Sequence, residues 1–137
     1  MAFLAGASLA LPAGGAAAGS VCLKPAASVQ ALVQRGLRPS LHVQVKRVAA
    51  TRARGRFTSV LSSGVYFVSA DLGKQGVATW AFSTTAYRTG HGAAFSVDRN
   101  ARRVSVLGSL VSPQLLAGWG VGTRTKGYSA SRACAAG

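Results

Sequence analysis

The 137-residue chain contains no glutamate and only two aspartates, Asp71 and Asp98, against sixteen Lys and Arg. A two-carboxylate hydrolase needs both acids in one cleft. Each aspartate instead stands where Asp commonly serves a turn: Asp71 precedes Gly73, and Asp98 opens "DRNA". Histidine is equally scarce, with His42 and His91 alone. His42 falls on the polar side of an alternating run, which predicts simple exposure. No GxSxG elbow accompanies either imidazole. Cysteine occurs twice, at Cys22 and Cys134, with no CxxC or CxxH spacing for a metal or a redox pair. "GWGVGTRTKG" lacks the GxxxxGK[ST] spacing of a phosphate loop. These shortages point away from an enzyme, a metal site and a cofactor.

What is present is positive charge. The formal net charge is +14, and twelve of the sixteen cations are Arg. The length suits one domain. Much of the 49% apolar content is Ala, so the core should be thin and built from Val, Leu, Phe and Trp. Long β-branched runs argue against disorder despite the charge.

Residues 1–18 predict an export signal. Phe3 to Leu11 is apolar, Pro12 breaks it, and Ala16-Ala17-Ala18 offers a small-x-small cleavage site. No basic residue follows Met1, so the usual leading charge is missing. The apolar stretch is too short for a membrane span of about 20 residues, and none follows in residues 19–137. In an oxidising compartment, Cys22 and Cys134 have only each other to pair with. A bridge would close a loop of about 110 residues and contribute on the order of 4–5 kcal/mol.

Along residues 19–137 one short helix follows Cys22. Val29, Leu32 and Val33 share a face, with Pro25 or Ser28 at its start and Gly36 as a C-cap. Strand patterns come next: "LHVQVKRV", "FTSVL", "GVYFVSADL", "GVATWAFST", "AAFSVD" and "ARRVSVL". "GVYFVSADL" is apolar on both faces and predicts a central strand. Short connections predict an antiparallel meander. The expected fold is α+β: one N-terminal helix on a sheet of five or six strands, closed by a terminal disulfide. A loose Gly/Ser-rich segment follows from about residue 112, with one helical turn at Pro113–Ala117.

Function is sought among the cations. "VKRVAATRARGRF" gathers Lys46, Arg47, Arg52, Arg54 and Arg56. An extended chain would set the last three on one face about 7 Å apart, a spacing that suits successive phosphates. Arg99, Arg102 and Arg103 form a second group, and Arg124 with Lys126 a third. The leading expectation is an exported non-enzymatic domain binding an anionic cell-envelope polymer or lipid surface, ahead of nucleic acid. The first alternative is a partner-binding or inhibitor domain using Tyr87, Arg88 and His91 of "YRTGHG", or Tyr87, Trp80 and Trp119 as anchors. The second is a small enzyme based on His91.

Overall fold

A computed structural model describes residues 21–137. The expected export signal lies outside the described residues. Four strands form one antiparallel meander in chain order: β1 (Arg47–Arg52), β2 (Val65–Asp71), β3 (Val77–Ser83) and β4 (Ala94–Ser96). Five helices join them: α1 (Ala27–Gly36), α2 (Thr84–Thr89), α3 (Arg99–Val104), α4 (Pro113–Gly118) and α5 (Tyr128–Ala136). β2 is central, as its two-sided apolar pattern requires, pairing Ala50 with Val68 on one side and Trp80 with Val68 on the other.

The two sheet faces bury different chemistry. On one, Val68, Trp80 and Phe82 meet Val29 and Val33 of α1, Ala86 of α2, and Ala101 and Val104 of α3. Each large apolar side chain removed from water there contributes about 1.5–3 kcal/mol. Trp80 is fully buried and its indole N–H donates to Ser105 Oγ at 2.9 Å. On the other face Phe67, Val65 and Ala81 pack with Leu116, Val121 and Tyr128. Beside them lies a polar strip covered by α5. Ser69 Oγ bonds Thr79 Oγ1 at 2.7 Å and Ser131 Oγ at 2.8 Å, and Thr51 Oγ1 donates to the Gly127 carbonyl at 2.7 Å. Small residues on both sides let α5 approach closely enough for these bonds to satisfy buried hydroxyls. Cys22 and Cys134 are bridged, Cα to Cα 5.7 Å. The bridge ties α5 to the segment in which Leu23 pairs with Ala50 on the outer edge of β1.

The sheet has four strands, where five or six were expected. "LHVQV" alternates, and Leu41, Val43 and Val45 do pack on the core, but His42 adopts a left-handed conformation (φ 47°) and no ladder forms before Arg47. "FTSVL" turns at Ser59 (φ 59°) to bury Leu61, forming a short 3-10 turn. "ARRVSVL" begins as α3 because Asp98 Oδ1 accepts from the Ala101 N–H at 2.9 Å. A capped first turn outweighs the two-residue alternation. Beyond residue 112 the expected helical turn is α4, and the rest of the segment, expected to be loose, carries α5. In α5, Ala130, Ser131 and Ala135 are buried. Gly36 ends α1 without a left-handed cap: Leu37 continues extended (φ −70°, ψ 143°). Its bare Cα is needed because a Cβ would run into the Leu107 side chain.

Candidate anion-binding surface

Arg52 ends β1, opposite Tyr66 of β2. Its guanidinium lies 5.8 Å from the centre of the Tyr66 ring. Tyr66 in turn stacks on Tyr87 of α2, centroids 4.0 Å apart and planes 6° apart. The geometry is that of a cation held over a π face, worth about 0.5–1 kcal/mol at an exposed site. Burial, and secondarily the neighbouring Tyr66, push the Tyr87 phenol above its ordinary pKa, so it stays neutral. α2 is fixed at its start by Ser83, whose hydroxyl accepts from the Ala86 N–H, and at its end by Gly90 in the left-handed conformation (φ 76°). The stack thus links Arg52 of the arginine-rich stretch to Tyr87 of "YRTGHG".

Beyond Arg52 the chain inserts Ala53 into the core, and the Arg54 N–H donates to the Lys126 carbonyl at 3.0 Å. Arg54 and Lys126 are antiparallel partners, and directly opposed residues put their side chains on the same side. Lys126 follows a tight turn in which Thr125 Oγ1 donates to the Gly120 carbonyl and accepts from the Gly122 N–H, presenting Arg124 to solvent. Gly55 (φ 151°) then redirects the chain, and the Arg56 carbonyl packs against Gly120. The extended row therefore covers Arg52 and Arg54, with Arg56 past a bend. Arg52, Arg54, Arg56, Arg124 and Lys126 are all exposed on this rim.

The other candidates separate from it. Arg47 sits at the far end of β1, about 16 Å from Arg52 for a strand rise of about 3.3 Å, and Lys46 lies one residue before it. The Lys46 side chain lies over Gly73, and the Arg47 guanidinium lies against Gly137. Arg88 and His91 are exposed at the end of α2 and just past it. His91 is held through its backbone, its N–H donating to Thr89 Oγ1 at 3.1 Å. Arg103 bonds Gln75 and Asn100, and Arg102 donates to the Ser96 carbonyl, so these two cations brace the fold. Trp80 has no exposed surface to offer a partner, and Trp119 is half-buried edge-on to Phe95.

Sequence reasoning missed the role of Asp98. Besides capping α3, its Oδ2 accepts from Arg132 at 2.7 Å and from the Tyr128 hydroxyl at 2.8 Å. Burial first, then the Asp98 hydrogen bond and charge, push the Tyr128 phenol up to about 12. The signal available was that "DRNA" is an N-cap pattern as well as a turn. Among the described residues no helix is long and apolar enough to cross a membrane. Comparison with protein-family models, curated proteins and solved structures finds no match to this chain.

Proposed function

We propose that this chain is an exported, non-enzymatic domain that binds an anionic cell-envelope polymer along the rim formed by Arg52, Arg54, Arg56, Arg124 and Lys126. The observation that carries the reading is the Arg54–Lys126 pairing, which joins two basic stretches 72 residues apart in sequence on one edge. Neither aspartate reaches that edge. Asp71 closes the opposite end of β2, and Asp98 is engaged by Arg132 and Tyr128. Guanidiniums offer forked donation to phosphate or carboxylate oxygens, and the Tyr66–Tyr87 stack orders Arg52 before any ligand arrives. The disulfide supports an oxidising, extracytoplasmic location. The enzyme alternative gains no support from His91, whose imidazole meets no acid, hydroxyl or thiol among the described residues.

The test is retention on immobilised polyphosphate as a function of salt. Counterion release predicts a log–log slope of roughly −0.7 per phosphate engaged on a single-stranded polyanion. Replacing Arg52, Arg54 and Arg56 by Ala should therefore shallow the slope by about 2. Equal, weak retention of both proteins refutes the reading. A tighter hold on anionic vesicles than on polyphosphate would move it from polymer to membrane surface.

A further inference from the structure

The connection between α1 and β1 holds a second, separate group of cations. After α1, Pro39–Leu41 makes one 3-10 turn that ends at His42, whose N–H bonds the Pro39 carbonyl at 3.1 Å. His42 is one of only two non-glycine residues with positive φ among those described. Such a conformation has a cost for a side chain with a Cβ, and such costs concentrate where function needs the geometry. Here it sets His42 on the saddle between two adjoining hollows that share His42 and Val43. One, of about 340 Å³, lies against the β2–β3 hairpin and is lined by Lys46 and Lys74 over Leu41 and Leu72. The other, of about 400 Å³, lies against the end of α1 and is lined by Arg35 and Arg38.

No carboxylate lines either hollow. Arg38 already donates to the Arg103 and Arg102 carbonyls, which fixes its position while leaving its charge. The side chains of Arg35, His42, Lys46 and Lys74 make no hydrogen bond or ion pair among the described residues. Lysine and arginine side chains from separate elements thus surround a concave, partly apolar surface that no carboxylate lines; Asp71, which accepts from the Gly73 N–H at 2.9 Å, adjoins the first hollow without lining it. That concavity is at the lower end of the size range of small-molecule sites, so it suits a single charged headgroup, whereas the rim is an edge suited to a polymer. Several cations converging from different directions favour a tetrahedral anion with several oxygens over a single carboxylate.

We infer that the saddle at His42 is a binding site for a phosphate group, with Lys46 and Lys74 as its principal cations and Arg35 and Arg38 as flanking charge. The phosphate belongs either to a soluble phosphate ester or to a lipid headgroup. The site shares no residue with the rim, so it stands or falls independently of polymer binding.

Titration of the ¹⁵N-labelled protein with inorganic phosphate at constant ionic strength tests it. The expected result is a saturable shift of the His42, Lys46 and Lys74 amides. Lys46→Gln/Lys74→Gln should weaken it about tenfold, whereas the Arg52/Arg54/Arg56→Ala protein should retain it. Both lysines are exposed, and an unchanged melting temperature checks that the double variant is folded. Flotation with phosphatidylglycerol and phosphatidylcholine vesicles separates the sources. Capture by the anionic vesicles that is lost in Lys46→Gln/Lys74→Gln assigns a lipid headgroup; saturable phosphate binding without vesicle capture assigns a soluble ester. Non-saturating shifts spread over all cationic surfaces, or shifts unchanged in the lysine variant, overturn the proposal.

Discussion

Removing the Cys22–Cys134 bridge is the sharpest perturbation available, because a simple calculation fixes its size. The cysteines are 112 residues apart in sequence. Opening a loop of that length returns about 16 cal/mol/K of entropy to the unfolded chain, or about 5 kcal/mol at 25 °C. Small domains are stable by about 5–15 kcal/mol in total. An unfolding entropy of about 2 cal/mol/K per residue over the described domain makes each kcal/mol worth roughly 4 °C. The Cys22→Ser/Cys134→Ser protein should therefore melt roughly 20 °C lower than the oxidised parent. Circular dichroism melts of the serine variant, the oxidised parent and the parent held in reductant test this. The last two should differ as the first two do. The Leu23–Ala50 bridge lies next to Cys22, so its amides should lose hydrogen-exchange protection first. A drop below about 5 °C would mean that the unfolded chain is already constrained, and the loop-entropy reasoning would fail.

Two further outcomes follow from single contacts. The Tyr128 phenol titrates at about 12 in the folded protein against an ordinary 10. Folding thus favours its neutral form; the associated stability is intact below pH 10 and is lost as pH rises from 10 to 12. Absorbance at 295 nm should show Tyr128 titrating near 12, with Tyr87 also later than an ordinary phenol, and Tyr128→Phe should remove Tyr128's part of the alkaline destabilisation; an unchanged alkaline profile counts against its burial beside Asp98. Gly36→Ala would raise stability in an open helix by up to about 1 kcal/mol, but against Leu107 it should lower stability by about 1–3 kcal/mol, read by urea denaturation.

The parts of the fold legible in the sequence were those in which one signal dominated. β2 is apolar on both faces and β3 sets Trp80 and Phe82 on one face, and two lone cysteines leave a single pairing. Where signals conflicted, tertiary context decided. Leu41, Val43 and Val45 alternate and face inward without joining the sheet, because packing needs only the side chains and the ladder needs the backbone. Arg102 and Arg103 resemble strand residues until Asp98 caps their helix. α5 was hidden by its own composition: "YSASRACAA" has few large apolar groups, and its cover of the sheet depends on small residues and hydroxyls. The candidate surface was half visible. The arginines were evident, but the meeting of Arg54 with Lys126 and of Tyr66 with Tyr87 depends on long-range pairing.

The position of α5 in the chain has a consequence for the order of folding. It follows every described strand, yet with its N-cap Gly127 it supplies partners to Thr51 and Ser69 on one side of the sheet. A nascent chain that stops short of Gly127 leaves Thr51 without that carbonyl, Ser69 with Thr79 alone, and Phe67 stripped of its neighbouring ring. The half-made product lacks the layer that covers this face of the sheet. Closure of this face therefore waits on α5, and the Cys22–Cys134 bridge then fixes that helix to the segment that pairs through Leu23 along β1.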